Sequence, residues 1–458
     1  MSQSSDTFDI VVLGGGSAGY ACALRAAQLG SSVALVEQSR LGGTCLHTGC
    51  IPTKALLHAA ELADAARDGS SVGIRSTFEG VDMAGVNAYK DGVVSRLHKG
   101  LQGLVRSTAI TYVEGSGRLM SPTTVDVAGR ELTGRHVVLA TGSFARTLPG
   151  LELGPRVVTS TEALQLDHVP ERVVIIGGSV IGVEFASVWR SFGAEVTVVE
   201  ALPSLVPLED EALGKLLRRA FTKRGINVRT ETSVSSVKDV GPAVVVGLAS
   251  GEDLEADLVL VAIGRGPASA DLGFEEAGVE LERGWVVVDE RLRTGVPGVY
   301  AVGDLVPGLQ LAHRGFAHGI FVAEEIVGLV PDPVVDAGIP RVTYCDPEVA
   351  SVGLTEEQAR AAYDEVETRE YNLAGNGRSQ IIGTAGLVKL VREKDGPIVG
   401  VHMIGARMGE QVGEATLMVG WEAFPDDIAR FVHAHPTQNE SLGEAALALA
   451  GKPLHDHL

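Results

Sequence analysis

Two cysteines carry the strongest chemical signal in the sequence. Residues 41–54 read LGGTCLHTGCIPTK, which places Cys45 and Cys50 five residues apart. In a regular helix that separation corresponds to a rise of about 7.5 Å, more than the ~4.4–6.8 Å between Cα atoms that is usual for a disulfide. If the two sulfurs are bonded, the backbone between them must depart from regular helix, and Gly49 gives it that freedom.

Three interpretations of this pair compete. A structural disulfide is not expected in a reducing compartment, and the chain has only four cysteines. Zinc would need two more ligands; His47 lies between the cysteines, but Cys22 and Cys345 have no paired partner nearby in the sequence. A redox-active disulfide is favoured because Cys45 follows Glu37, the last residue of a nucleotide-binding pattern, by only eight residues.

A redox pair requires a thiolate, because the thiol is a poor nucleophile. The dipeptide Ile51-Pro52 predicts a helix start, which would place Cys50 near the positive end of a helix. That dipole contributes only ~0.3–1 kcal/mol, less than one pKa unit. A separate base is therefore expected.

An internal repeat organises the elements that position these residues. Residues 10–37 (IVVLGGGSAGYACALRAAQLGSSVALVE) and residues 173–200 (VVIIGGSVIGVEFASVWRSFGAEVTVVE) both predict strand, glycine turn, helix and strand. Gly14 and Glu37 are 23 residues apart, as are Gly177 and Glu200. The repeat predicts two dinucleotide sites.

Each turn follows a known physical pattern. One glycine makes the tight turn, a second lets a pyrophosphate approach the backbone, and a third lets the helix pack on the strand. The helix N-terminus then faces the phosphates. The first copy has all three glycines, whereas the second has Ser179 in the middle position.

The acids that end the two repeats argue against NADP. A carboxylate about 4 Å from a 2′-phosphate would repel each unit of its charge by ~4 kcal/mol at an effective dielectric near 20. Residues 201–203, which follow Glu200, read ALP and offer no arginine to compensate. NAD is the expected nucleotide.

Composition narrows the class further. A chain of 458 residues predicts about three domains, and 45% apolar residues with 57 glycines and few aromatics favour an α/β protein. The net charge of −20 disfavours nucleic acid. The polar N-terminus and the absence of a run of about 20 apolar residues predict no signal peptide, no membrane segment and a cytoplasmic location. We expect no metal site.

Other segments predict the remaining layout. VVLATGS (137–143), LVLVAIGRG (258–266) and GVYAVGD (298–304) are aliphatic strands that end in glycine turns. The three prolines of residues 331–340 predict a linker. Residues 386–405 predict a hairpin around Asp395-Gly396, followed by a helical stretch to about Phe424.

The chain resembles the class I flavin disulfide reductases, and among them the dihydrolipoyl dehydrogenases. The resemblance is carried by LGGTCLHTGCIPTK, the paired glycine turns and the segments ATGS, VYAVGD and HAHPTQNE, and it extends from about Asp9 to Glu444. The resemblance implies an α/β fold with two Rossmann-like domains, for FAD and NAD, and a C-terminal α+β dimerisation domain. The limits we expect are 1–150 (FAD, first part), 151–270 (NAD), 271–335 (FAD or central, second part) and 336–458 (interface).

The resemblance also implies residue roles. Cys50 would lie nearest the flavin, in charge-transfer contact as the thiolate, and Cys45 would exchange with substrate. Lys54 and Glu184 would form an ion pair beside the flavin, and Asp304 would bind its ribityl chain.

The missing base would be His435, oriented by Glu440 and supplied by the partner subunit of an obligate homodimer. By residue type alone, His433, His455 and His457 are equally suggestive; the following proline and the acid five residues on distinguish His435.

The chain is thus expected to oxidise dihydrolipoyl groups and reduce NAD through FAD, with the dithiol carried by a lipoyl-bearing protein of a 2-oxoacid dehydrogenase or glycine cleavage complex, since no lipoyl domain precedes Asp9. The alternative is an NAD(P)H-dependent reductase of another small disulfide, of the glutathione or mycothiol type.

Two residues depart from the family pattern: Ser179 replaces the middle glycine of the second turn, and His318 stands where many relatives have an acid. The predicted cofactor-binding residues are Gly14, Gly16, Ser17, Gly19, Glu37, Gly43, Thr44, Lys54, Gly117, Thr141, Gly142, Ser143, Gly177, Gly178, Ser179, Gly182, Glu200, Val234, Gly264, Asp304, Ala312 and His313.

Overall fold

The computed structural model of the protein describes residues 6–455. These residues form two compact units, each assembled from separate stretches of chain. The first comprises the residues up to Ala55, Gly85–Arg146 and Arg265–Asp336. The second comprises Leu56–Ala84, Thr147–Gly264 and the residues from Ala337 onward.

The helices and strands of residues 6–264 belong to both units. Residues 6–146 contain β1 (Asp6–Leu13), α1 (Ser17–Gln28), β2 (Val33–Glu37), α2 (Gly43–His47), α3 (Cys50–Asp68), α4 (Met83–Arg106), β3 (Ile110–Glu114), β4 (Gly117–Ser121), β5 (Thr124–Val127), β6 (Arg130–Leu139) and β7 (Ser143–Ala145). Residues 147–264 contain β8 (Val157–Val158), α5 (Ser160–Ala163), β9 (Arg172–Ile176), α6 (Val180–Phe192), β10 (Glu195–Val199), α7 (Glu211–Lys223), β11 (Asn227–Arg229), β12 (Val234–Asp239), β13 (Val244–Leu248), β14 (Asp253–Ala256) and β15 (Leu258–Val261).

The remaining elements complete both units. Residues 265–336 contain β16 (Arg265–Pro267), β17 (Leu281–Glu282), β18 (Trp285–Val286), β19 (Val299–Ala301) and α8 (Ala312–Ile326). Residues 337–455 contain β20 (Arg341–Thr343), β21 (Glu348–Gly353), α9 (Glu356–Ala362), β22 (Val366–Asn372), α10 (Gly377–Ile382), β23 (Leu387–Glu393), β24 (Ile398–Gly405), α11 (Met408–Gly420), α12 (Pro425–Ile428) and α13 (Glu440–Leu449).

A parallel sheet forms the core of the first unit. Its strands run β3-β2-β1-β6, with β19 also parallel on β6 and the antiparallel strands β5 and β4 continuing the sheet. In the register, Val12 lies between Leu35 and Val138, and all three side chains are fully buried. Such continuous aliphatic runs are typical of strands that are covered on both faces.

The second unit contains a parallel sheet of its own, in the order β11-β10-β9-β15-β8. It also holds a separate five-stranded sheet near the C-terminus, ordered β20-β21-β24-β23-β22 and antiparallel throughout. The predicted hairpin is present as β23 and β24, with Asp395 at φ 58° in its turn. The predicted linker contains only the short 3-10 helix Asp336–Gly338.

Both glycine repeats form a strand, turn, helix and parallel strand, β1-α1-β2 and β9-α6-β10. This confirms the predicted α/β class with Rossmann-like βαβ units. The four expected domain limits stay a prediction. Within residues 6–455, no helix combines the length and apolar composition that a bilayer crossing requires.

A buried ion cluster joins the segment before α7 to the C-terminal sheet of the second unit. The Lys389 ammonium, on β23, lies 2.9 Å from an Asp210 oxygen and 2.7 Å from a Glu356 oxygen. The Lys389 and Asp210 side chains are only 6% and 2% exposed. Desolvation lowers the pKa of Lys389, but the two carboxylates outweigh it and raise the pKa overall. The cation is therefore integral to this junction.

We predict that Lys389→Met destabilises the protein by about 3 kcal/mol, because it leaves the buried Asp210 carboxylate without its cation. Glu356 is 30% exposed and keeps its ion pair with Arg360. The matched control is Lys394→Met. Lys394 pairs with Glu365 at the surface, where both side chains are about half-exposed, and an exposed pair contributes at most about 1 kcal/mol. Thermal unfolding followed by circular dichroism compares the two; equal losses would contradict the prediction.

Candidate active site

The first glycine turn shows which of its glycines the chain itself requires. A Cβ on Gly14, which has φ +110°, would lie 2.2 Å from the Ala140 carbonyl oxygen, and one on Gly19 would lie 1.8 Å from the Gly14 oxygen. A Cβ on Gly16 would meet nothing closer than the Gly43 Cα, at 3.9 Å. Packing therefore does not require Gly16, and the open space beside it lets a phosphate approach the N-terminus of α1.

The second turn repeats this geometry. A Cβ on Gly177 would lie 2.3 Å from the Ala262 oxygen, and one on Gly182 would lie 1.9 Å from the Gly177 oxygen. Ser179, in the middle position, has φ −86° and ψ −172°, close to the −74° and −172° of Gly16. The serine therefore adopts the same backbone without strain, and its effect is limited to the side chain it adds beside the phosphate position.

Each of the two terminal acids is fixed by backbone amides. Glu37 accepts the Gly15 N–H through one oxygen and the amide two residues further on through the other, both at 2.7 Å. Glu200 accepts the Gly178 N–H at 2.6 Å and, again, the amide two residues on at 2.8 Å. Each carboxylate oxygen has a second lone pair, so both acids can still accept ribose hydroxyls.

The strand that ends at Leu139 leads into more of the predicted FAD residues. The Thr141 hydroxyl donates to the Ala268 carbonyl at 2.6 Å, and the Ala268 N–H donates to the Gly142 carbonyl at 2.9 Å. The Ser143 hydroxyl donates to an Asp304 oxygen at 2.6 Å. The structure thus brings together two predicted residues, Ser143 and Asp304, that are 161 residues apart in the sequence.

Arg265 is a residue of this region that was not predicted from the sequence. Its guanidinium donates to the Ser143 hydroxyl at 2.8 Å and to the Ser143 carbonyl at 2.7 Å, with Thr44 Oγ1 at 3.5 Å. Burial lowers its pKa, while Asp304 and Cys50 oppose that shift. The only sequence signal was the position of Arg265 in the glycine turn after LVLVAIG. It places a cation beside the predicted FAD and thiol residues.

The other predicted cofactor residues lie on several elements. Gly117, in β4, lies in the core, where an added Cβ would come 2.5 Å from Leu13 Cδ1. A Cβ on Gly43, which has φ +58°, would lie 2.7 Å from the Gly16 Cα, so this contact requires a glycine at position 43. Gly264 has φ +107° and open space around it. Val234 begins β12, and Ala312 and His313 begin α8.

The chain between the two cysteines leaves helical geometry, as the spacing predicted for a bonded pair. Cys45 lies in α2, which ends at His47, and Thr48 has φ −140° and ψ 21°. Cys50 is the first residue of α3, at the positive end of that helix. Both cysteines are present as thiols, and the Cys45 thiol hydrogen-bonds to Cys50.

The surroundings of Cys45 favour its protonated form. The hydrogen bond with Cys50, then burial and the Cys50 charge, raise the pKa of Cys45. Lys54 and a hydrogen bond from Ser17 act in the opposite direction. Because Ser17 is the first residue of α1, the thiols lie at the first nucleotide turn.

Tyr20 is a second residue that was not predicted from the sequence. Burial, together with the charges of Cys45 and Cys50, raises its pKa to about 12, so it stays protonated. Its ring packs on Phe316, with the centroids 5.7 Å apart. No local pattern indicated that this α1 residue would lie near the cysteines.

In the second unit, His435 and Glu440 form the predicted pair. Nδ1 of His435 lies 2.8 Å from Glu440 Oε1, and the other carboxylate oxygen accepts the Thr437 N–H at 2.8 Å. Although burial opposes them, these contacts lower the pKa of Glu440. The His435 side chain is 75% exposed, which leaves its other ring nitrogen accessible.

Two further histidines pair with glutamates in the same way. His433 binds Glu414 at 2.9 Å, but its side chain is only 11% exposed. His455 binds Glu444 at 2.8 Å and is 61% exposed. Carboxylate pairing alone therefore does not identify a base. The remaining candidate, His457, lies outside the described residues.

The predicted ion pair of Lys54 and Glu184 stays a prediction. Lys54 lies in the second turn of α3. Glu184 lies in α6, 2% exposed, and one of its oxygens accepts the Tyr344 N–H at 2.9 Å.

Comparison with known proteins defines the class. Residues 8–319 match the family described as pyridine nucleotide-disulphide oxidoreductase, and residues 339–446 match the dimerisation domain of the same family. The chain therefore belongs to the pyridine nucleotide-disulphide oxidoreductase family, whose members use FAD and NAD(H).

Individual relatives cover the whole chain. The leghemoglobin reductase of Vigna unguiculata is 41% identical over 100% of this chain and 90% of its own length. The mitochondrial dihydrolipoyl dehydrogenase of Pisum sativum is 39% identical over 99% of this chain and 94% of its own. A solved structure of the HOCl-induced flavoprotein disulfide reductase RclA from Escherichia coli, a Cu(II) complex, is 28% identical with a TM-score of 0.87, covering 97% of this chain and all of that one.

The two glycine positions give a matched test of the FAD turn. We predict that Gly16→Ala folds but weakens FAD binding, because its Cβ enters only the open space beside α1. Gly19→Ala should instead destabilise the fold, because its Cβ would overlap the Gly14 oxygen. Thermal unfolding of the flavin-free proteins and FAD titration separate the two effects. Equal destabilisation of both variants would refute this assignment.

Proposed function

We propose that the protein oxidises dihydrolipoyl groups and reduces NAD, as a dihydrolipoyl dehydrogenase. The observation that carries this proposal is the placement of two hydrogen-bonded thiols at the N-terminus of the helix that follows the first nucleotide turn, through the contact of Ser17 with Cys45. Gly14, Gly16 and Ser17 would hold FAD at that turn, and the bound flavin would supply the two-electron chemistry between the thiol pair and the nicotinamide of NAD.

The thiol chemistry assigns separate roles to the two cysteines. One substrate thiolate attacks the Cys45 sulfur of the oxidised pair; the Cys45–Cys50 bond breaks, and Cys50 leaves as a thiolate. The substrate is then joined to Cys45 as a mixed disulfide. Its second thiolate attacks the substrate sulfur of that bond, which releases the cyclic lipoyl disulfide and Cys45. The electron pair stays on the reduced cysteines.

The substrate protons need an acceptor. His435 is the group proposed for this role, because imidazole titrates near neutral pH and this ring is exposed and held by Glu440. The carboxylate fixes the tautomer, since Nδ1 carries the hydrogen donated to it and Nε2 is left to accept a proton. The match to the dimerisation domain supports a homodimer in which this histidine serves the partner subunit.

The choice of nucleotide follows from Glu200. Two backbone amides hold its carboxylate at the end of β10, so it cannot swing away from an added 2′-phosphate. Such a rigid anion favours the 2′-hydroxyl of NAD.

Partners and location complete the proposal. The dithiol would be carried by the lipoyl-bearing protein of a 2-oxoacid dehydrogenase or glycine cleavage complex, and the enzyme would act in the cytoplasm. The Pisum sativum relative is named a mitochondrial dihydrolipoyl dehydrogenase, which supports the lipoyl substrate but not the cytoplasmic location. The Vigna unguiculata relative is named a leghemoglobin reductase. Activity with the purified protein must therefore decide the substrate.

An anaerobic assay with free dihydrolipoamide tests the proposal. We predict NADH formation by the FAD-loaded protein and about 1000-fold lower kcat/KM with NADP, from the charge repulsion of ~4 kcal/mol at Glu200. Cys45→Ser should bind FAD and lose dithiol oxidation. The proposal fails if the FAD-loaded wild type forms no NADH, and rapid NADPH-dependent reduction of glutathione or mycothiol disulfide would establish the alternative.

The three histidine-glutamate pairs supply a second test. We predict that His435→Gln lowers kcat/KM for dihydrolipoamide by about 100-fold or more, the usual contribution of a general base, and that Glu440→Gln has a smaller effect of the same kind. His455→Gln is the matched control, because it breaks an equally short carboxylate pair, and it should retain full activity. Equal losses in the His435 and His455 variants would show that neither acts as the base.

A further inference from the structure

Helix α8 holds the loop that begins with Gly303 and Asp304. Near the end of this loop, the Arg314 guanidinium, 5% exposed, donates to the Pro307 carbonyl at 2.6 Å and to the Leu309 carbonyl at 3.2 Å. Arg314 is itself paired with Asp336, at 2.6 Å. One end of the loop is thus fixed to the helix by a buried cation.

At the start of the loop, a histidine of α8 contacts the backbone, as Arg314 does near the loop's end. His318, one turn after Arg314 in α8 and 2% exposed, accepts the Gly303 N–H at Nδ1, at 3.3 Å. Gly303 has φ +69° and begins the 3-10 helix that contains Asp304. A Cβ at Gly303 would lie 2.9 Å from the Ala18 Cβ, so the turn also contacts α1. A buried N–H in so confined a turn needs an acceptor.

We propose that His318 is a positioning residue for FAD, whose neutral ring orients the Gly303-Asp304 turn and releases it when the ring is protonated. A ring that carries protons on both nitrogens is a donor only, so it cannot accept the Gly303 N–H. The Asp304 carboxylate would then lose the backbone geometry that aims it at Ser143 and at the ribityl position. The inference rests on the proposed role of Asp304 in FAD binding and is independent of the lipoyl substrate.

The charges around His318 set the direction of the pH effect. Burial, then the Arg314 cation on the same helix, lower the pKa of His318 to about 4, while Asp336 opposes them. From α1, Cys22 contributes no charge, because burial raises its pKa to about 12; from the 3-10 helix, Asp304 faces the loop and accepts the Ser143 hydroxyl. The neutral ring keeps the bond in the folded protein until the pH falls to about 4. The stability that this bond contributes is full above the ordinary histidine pKa of about 6.5 and declines as the pH falls from there through about 4.

Release of FAD from the purified, flavin-loaded protein between pH 7.5 and 3 tests this role, measured by the fluorescence of free FAD. His318→Asn keeps an acceptor at the same distance along the side chain and does not titrate. We expect it to retain FAD to a pH about one unit lower than the wild type does. His318→Leu removes the acceptor and should raise the FAD dissociation constant about tenfold at pH 7.5. His168→Asn, at an exposed histidine, is the control and should behave as the wild type.

Far-UV circular dichroism on the same samples separates flavin release from unfolding. Release before unfolding in the wild type, delayed in His318→Asn, supports the proposal. Release at one pH in both proteins overturns it, as does an unchanged dissociation constant in a folded His318→Leu. If His318→Leu does not fold, the comparison with asparagine decides alone. Failure of the lipoyl assay with normal FAD release would count against the proposed substrate only.

Discussion

In both nucleotide turns, the helix approaches the strand so closely that the third glycine touches the carbonyl of the first. An added methyl group would lie 1.8 Å from that oxygen at Gly19 and 1.9 Å at Gly182. This approach directs each helix N-terminus at the space beyond the strand. It also brings the N–H of the second glycine of each turn to the acid at the end of the next strand, Gly15 to Glu37 at 2.7 Å and Gly178 to Glu200 at 2.6 Å. Phosphate site and ribose site are therefore two results of one backbone contact.

The thiol pair depends on that same contact. Because α1 begins at Ser17, where the turn directs it, Ser17 can reach Cys45, and the break between α2 and α3 then brings Cys50 to the head of its own helix. Gly43 contributes at the other side, where it packs against Gly16 with no room for a side chain.

The features that could be predicted from sequence are those fixed within about 30 residues. The glycine-acid spacing, the helix start at Cys50 and the hairpin around Asp395 all follow from local geometry. Arg265 could not be predicted, because its position near Cys50 arises from elements far apart in the chain. Tyr20 is closer in sequence, but its position near the cysteines depends on how α1 packs against the chain around α2, which no local pattern reveals. The sequence marked His318 as unusual without indicating a partner, since only the folded chain brings α8 against Gly303.

The histidine-glutamate pairs show why residue type underdetermines function. His433, His435 and His455 have nearly equal distances to their carboxylates, between 2.8 and 2.9 Å. A histidine-glutamate pair can orient a base, but it can also anchor a loop. Any difference in function among the three histidines must therefore come from their exposure and from the residues that a second subunit places beside them. The His433 side chain is only 11% exposed, which leaves little of its ring open to a substrate. Glu440 holds the His435 ring and the Thr437 amide, and Glu444 likewise holds the ring and the backbone amide of His455. The double contact therefore does not separate the two exposed rings. His435 lies within residues 339–446, the part of the chain that matches the dimerisation domain, whereas His455 lies beyond it. A base that serves a partner subunit must lie where the two subunits meet, and that position is the ground for choosing His435.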